Sequence, residues 1–171
     1  SNVLEYIKHY GDKIISLKRK KSFAELNQSL DKTIDYTLKE YENNNGPVDL
    51  IIILNIEFPF RSTMYINKAI NTLKLFDTDC VIGAVNDDNI YYQHDGNGLK
   101  ARLNNSSLRL ERNNLFRKAG GISLVKRNFF KKQNNLTGGV IGHIILDEEA
   151  SLSTRSYSEN KLINFLIKNS N

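Results

Sequence analysis

The stretch Asp49-Leu-Ile-Ile-Ile-Leu-Asn55, continuing as Ile56-Glu-Phe-Pro-Phe-Arg61, decides the fold. Leu50 to Leu54 is apolar at every position, has the length of a strand, and is bounded by polar residues at both ends. Such a run reads as a β-strand covered on both faces, the form strands take inside α/β sheets. Pro59 sits in the loop that follows. Ser62 or Thr63 then supplies the cap of a helix that turns Ile66, Ala69, Ile70 and Leu73 inward.

Upstream, Val3 to Tyr10 reads as a short helix with Val3, Leu4 and Ile7 on one face and Gly11 as its stop. Ile14-Ile-Ser-Leu17 reads as a strand. Ser22-Phe-Ala-Glu25 has the spacing of a capping box, in which the serine accepts a backbone N–H and the glutamate reaches back. The helix behind it carries Leu26, Leu30, Ile34, Leu38 and Tyr41 as one apolar stripe. The polar Glu42-Asn-Asn-Asn-Gly-Pro47 is a loop too short to separate domains.

Downstream, Asp79-Cys-Val-Ile-Gly-Ala-Val85 is a second buried strand. Ile90 to Gln93 and Leu99 to Leu103 flank Asp95-Gly-Asn-Gly98 and predict a hairpin. Strands follow near Ile122 to Val125 and Val140 to Leu146, and a closing helix carries Leu162, Ile163 and Leu166. Helices alternating with buried strands predict one domain over 1–171, a three-layer α/β/α sheet. Ligands of such sheets lie at the carboxyl ends of the strands, so the loops after Leu54 and Val85 are the places to look.

Composition narrows the function. A chain that is 40% hydrophobic and 25% charged is an ordinary globular protein. No run approaches the roughly 20 apolar residues of a membrane span, and Ser1 to Lys8 holds no apolar stretch of a secretory leader. The single cysteine, Cys80, forms no internal disulfide or cysteine metal cluster and suits a cytoplasmic protein. The net charge of +5 favours an anionic partner. Its one basic cluster, Lys18-Arg-Lys-Lys21, lacks the interleaved aromatics of a nucleic-acid surface and reads as a solvated loop. Neither nucleic acid nor membrane is an expected partner.

Arg61 stands between a buried strand and a capped helix, where a guanidinium and a helix N-terminus together attract phosphate or carboxylate. The plainer reading makes Pro59 a loop-former and Arg61 a surface residue. His9, His94 and His143 are scattered without metal-ligand spacing. Asp87-Asp88, entering the hairpin, read as solvated carboxylates and Asp147-Glu-Glu149 as a strand-ending loop, with cation binding the alternative for each. Thr137-Gly-Gly-Val-Ile-Gly142 lacks a P-loop lysine and enters a strand. No nucleophile-elbow spacing is present.

The order of these pieces resembles the acylneuraminate cytidylyltransferases. Asn55-Ile-Glu-Phe-Pro-Phe-Arg61 after a buried strand is similar to that family's Gln-Pro-Thr-Ser-Pro-Leu-Arg segment. Arg109-Leu-Glu-Arg-Asn-Asn-Leu-Phe-Arg117-Lys-Ala-Gly120 resembles its second signature, an arginine eight positions before a Phe-Arg-Pro-Asn-Gly run. His143 to Glu159 looks like its closing Ser-Ile-Asp-Ile-Asp-Thr-Glu-Leu-Asp segment. The resemblance implies a nucleotide-diphospho-sugar transferase fold. It implies transfer of a CMP group from CTP to an acidic sugar such as an acylneuraminate, with pyrophosphate release, Mg2+ as cofactor, and a homodimer. By position, Asn55 replaces the glutamine at the sugar and Arg61 closes the first segment. Arg109 stands near the sugar carboxylate, and Arg117 and Gly120 belong to the second signature.

The departures from the family are specific. Its N-terminal strand and glycine- and lysine-bearing loop are not among these residues, which match the C-terminal two thirds of the domain. Its second-signature asparagine is Ala119, and its two metal aspartates fall on Ser153 and Arg155. These residues alone are therefore expected not to turn over CTP. The alternative is a degenerate, non-catalytic member that binds an acidic sugar, nucleotide or protein partner.

Overall fold

The computed structural model describes residues 2–19, 21–23, 30–101 and 115–169. Helices α1 (Asn2–Ile7) and α2 (Leu30–Asn45) lead into strand β1 (Leu50–Leu54) and helix α3 (Thr63–Leu75). Strand β2 (Cys80–Asp87) is followed by a hairpin of β3 (Tyr92–His94) and β4 (Leu99–Ala101). The long strand β5 (Leu115–Lys126), α4 (Arg127–Gln133), β6 (Ile141–Ile145), α5 (Glu148–Ser151) and α6 (Tyr157–Asn169) complete the order. The sheet runs β1-β5-β2-β6. β5 is antiparallel to β1 and β2, and β6 is parallel to β2, so the sheet is mixed.

Side-chain alternation splits the core in two. Val81, Ile122, Leu124 and Ile144 face Tyr65, Ala69 and Leu73 of α3 and Ala150 of α5. Ile51, Cys80 and Val125 face Leu38 of α2 and Phe130 of α4. Helices cover both faces of the sheet, as the α/β/α reading expects. The apolar stripes of α2 and α3 seat as the spacing predicts at Leu38, Ala69 and Leu73, and Tyr65 joins them at the register position before Ala69.

The structure corrects several expectations. β1 has its predicted bounds but is not covered on both faces, since Ile52 is 37% and Leu54 44% exposed. β1 is a sheet edge among the described residues, and α3 lies against β2, β5 and β6 instead. Ile14 keeps an extended backbone, but Ile14 to Leu17 pairs with no described strand and stays irregular. A strand needs a neighbour to satisfy its N–H and C=O groups. β5 begins seven residues earlier than Ile122, because Gly120 and Gly121, both left-handed, kink the strand without ending it. The strand-ending loop is short: Asp147 lies in it and caps α5, accepting from the Ala150 N–H at 2.7 Å, and Glu148 and Glu149 open that helix. The hairpin forms, its first strand starting at Tyr92 instead of Ile90 and its described pairs running from Tyr92 with Ala101 to His94 with Leu99. In the closing helix only Ile163 is fully buried, and Leu162 is exposed. The capping box at Ser22 to Glu25, Leu26 and Leu103 fall partly or wholly outside the described residues.

Candidate functional site

Residues 55–61 leave β1 at its carboxyl end and are pinned to the kink in β5. The Asn55 N–H donates to the Gly121 carbonyl at 2.9 Å, and Arg61 Nη1 donates to the same oxygen at 3.3 Å. Gly121 permits this closeness. A Cβ there would lie 2.5 Å from the Phe58 ring and 2.8 Å from Asn55 Cβ, on a backbone with φ of 59°. Gly120 beside it packs against Leu146 and the Ala150 carbonyl, where a Cβ would collide with the leucine. Gly120 thus stands in the sheet core, positioning backbone.

Arg61 is half-buried, and among the described residues no carboxylate pairs with it. Burial lowers its pKa from the ordinary arginine value, since desolvation disfavours the charged form. The half-buried amide of Asn55 likewise has no hydrogen-bond partner among the described residues. Arg61 stands immediately before Ser62, the N-cap residue of α3, whose side chain makes no capping bond. An under-neutralised guanidinium, an unused amide and a helix N-terminus therefore occur together, which is a chemistry for anions.

Arg117 sits apart, near the start of β5. Its exposed side chain places Nε 3.8 Å from Asp87 Oδ2 at the end of β2. Asp87 is buried, correcting the solvated reading. It accepts hydrogen bonds from the Tyr91 hydroxyl and from Asn89, whose N–H and side-chain amide are at 3.1 and 2.7 Å. The Tyr91 hydrogen bond, then the Asn89 N–H, hold the Asp87 carboxyl below the usual carboxylate range, while Asp87 raises the Tyr91 hydroxyl. An open cleft of about 580 Å³ lies between these groups, lined also by Tyr92, Gln93 and Phe116. Arg61 and Arg117 thus contact different partners at the carboxyl ends of β1 and β2. Arg109 lies outside the described residues.

Three residues take parts that the sequence reading did not give them. Tyr65 donates its hydroxyl to Asp147 Oδ2 at 2.6 Å, and this bond, followed by the Ala150 N–H, holds the Asp147 carboxyl below its usual range. Tyr65 was legible through its helical register, and Asp147 through its spacing before Ala150. Glu57 had no local signal: it binds Arg155, nearly a hundred positions away.

Magnesium can be tested against the residues at its expected place. Ser153 is buried and its hydroxyl lies 3.3 Å from Glu159 Oε2, while Arg155 is paired with Glu57. No group of three His, Cys, Asp or Glu among the described residues could hold a metal ion. A hydroxyl and a cation do not fit a hard divalent ion that needs anionic oxygens. Ala119, which the sequence resemblance sets against an asparagine, is packed in the core. No described helix is long and apolar enough to cross a membrane.

No protein-family model matches the chain. A curated relative, Post-translational flagellin modification protein B of Campylobacter coli, is 28% identical over 142 residues, covering 80% of this chain. The chain spans 60% of that relative's length. Among solved structures, 4-diphosphocytidyl-2C-methyl-D-erythritol synthase from Anaerococcus prevotii DSM 20548 has a similar fold, with a TM-score of 0.60 at 10% identity. The match covers 98% of this chain and 73% of that one.

Proposed function

We propose that this chain is the anion-binding part of a cytidylyltransferase-type enzyme that takes CTP and an acidic sugar such as an acylneuraminate. In that reaction a sugar hydroxyl oxygen attacks the α-phosphorus of CTP. A new O–P bond forms, the α–β phosphoanhydride bond breaks, pyrophosphate leaves, and the hydroxyl proton passes to solvent. The part assigned to this chain is to bind and orient negative charge, because such transfers depend mainly on positioning and electrostatic stabilisation.

One observation carries the reading: Arg61, half-buried and unpaired with any described carboxylate, is held at a strand end beside the N-terminus of α3. The relative named as a flagellin modification protein and the fold of a diphosphocytidyl-erythritol synthase agree with it. Arg117, and Arg109 by its position in the sequence, are the second and third cations of the reading. A homodimer belongs to the reading as well.

A non-catalytic binding role has its own support. By the sequence resemblance Arg155 and Ser153 fall at metal-ligand positions, where Arg155 is paired with Glu57 and Ser153 is buried, and Ala119 is a buried methyl where the resemblance expects an amide. Binding of CMP and of N-acetylneuraminate is therefore expected from residues 1–171, without pyrophosphate release from CTP. Isothermal titration of both ligands tests this. Arg61→Gln should weaken the bound ligand by roughly tenfold, the size of one charge-assisted hydrogen bond. Equal affinity in the variant removes the assignment, and measurable pyrophosphate release removes the binding-only role.

A further inference from the structure

The Glu57–Arg155 pair joins the loop after β1 to the segment after α5. Arg155 Nε and Nη2 each lie 2.6 Å from Glu57 Oε2. Beside them the Thr154 N–H donates to the Glu57 backbone carbonyl at 2.9 Å. Glu57 lies between Asn55 and Arg61, the two residues bound to the Gly121 carbonyl. The loop that presents Arg61 is thus fastened at one side to β5 and at the other to the segment after α5.

Four positions after Arg155 the carboxylate of Glu159 is already engaged. Its Oε2 takes the Ser156 hydroxyl at 2.9 Å and lies 3.3 Å from that of Ser153. The carboxylates here therefore have partners from the protein itself. A divalent cation bridging these two segments would do so by binding oxygens from each. In this chain a guanidinium does the bridging, and its planar fork keeps a fixed geometry. The pair is largely solvent-exposed, so its effect lies in geometry more than in bulk stability.

We propose that Arg155 is a built-in replacement for a bridging metal ion: with Glu57 it positions the Arg61 loop, and anion binding by this chain is independent of divalent cations. The comparison with a metal rests on the cytidylyltransferase reading, whereas the latch rests on the contacts alone. Glu57 and Arg155 act as positioning residues, through the loop they hold.

The melting temperature of the 171-residue chain tests the latch without any ligand. It should be the same in excess EDTA and in millimolar magnesium chloride matched for ionic strength with sodium chloride. A rise specific to magnesium overturns the proposal. Arg155→Asp, which sets two carboxylates against each other, should lower the melting temperature and recover it when magnesium is added. A variant that magnesium leaves unchanged overturns the replacement. Should that variant fail to fold, the exchange of Glu57→Arg with Arg155→Glu should melt above Glu57→Arg alone, and no recovery overturns the latch. With CMP as probe, wild-type affinity should be unchanged by EDTA, and Arg155→Gln should weaken it about two- to fivefold. A wild-type affinity that falls in EDTA also overturns the proposal. Absence of all CMP binding counts against the cytidylyltransferase reading, while the melting experiments still judge the latch.

Discussion

Arg61 donates to the carbonyl oxygen of Gly121 at 3.3 Å across 60 positions of sequence, and the same oxygen takes the Asn55 N–H. The loop after β1 is therefore shaped by a kink in β5. Gly121→Ala strains a left-handed backbone and drives a methyl into the Phe58 ring. The expected cost is about 1–3 kcal/mol in urea unfolding, together with weaker CMP binding as Arg61 shifts. Unchanged stability would show that the loop and the kink are not in contact in solution.

Arg127 and Glu42 form a two-pronged pair, Nε to Oε1 and Nη2 to Oε2 both at 2.8 Å, that ties the start of α4 to the end of α2. The Arg127 hydrogen bond holds the Glu42 carboxyl below its usual value. A carboxyl depressed in the folded state contributes stability above its unfolded pKa of about 4.3, and that stability is lost as pH falls through the folded value. Glu42→Gln should cost about 1–2 kcal/mol at neutral pH and flatten the acid limb of the stability profile. An acid limb identical to that of the wild type would exclude this pair as its source.

Ile51 and Ile52 are neighbours with opposite surroundings. Ile51 is 7% exposed among Leu38, Cys80, Val125 and Phe130, whereas Ile52 is 37% exposed on the open side of β1. Ile51→Ala should cost about 2–5 kcal/mol, and Ile52→Ala about 1 kcal/mol or less. Denaturant midpoints of the two variants measure the difference. Equal losses would mean that β1 is covered on both faces after all.

Tyr65 is buried and hydrogen-bonded to Asp147, an arrangement that holds the end of β6 to α3. Tyr65→Phe should remove about 1 kcal/mol and let the Asp147 carboxyl rise toward the ordinary range. Carbon-13 titration of that carboxyl follows the change. A titration curve that does not move would assign the depression to the Ala150 N–H alone.

Local pattern was enough where a residue's role depends on near neighbours. The apolar run at Leu50, the four-residue spacing of α2 and the Asp95-Gly-Asn-Gly98 turn each carry their element in their own composition. The pattern overreached at Ile14 to Leu17 and at Ile52 and Leu54, since an apolar residue records only a preference for burial. It failed at Gly120 and Gly121, because glycines that usually end a strand also allow one to kink and continue.

From its own order of residues, the chain determined an α/β sheet, the β1–α3 loop as a place to look, and Arg61 as a cation within it. Those follow from periodicity and capping, which act over a few residues. Only the tertiary structure decided that Arg61 is held by Gly121, that Arg117 turns to Asp87, and that Glu57 occupies Arg155. Contacts between distant segments are set by how strands pair and helices pack, and no short stretch of sequence records them.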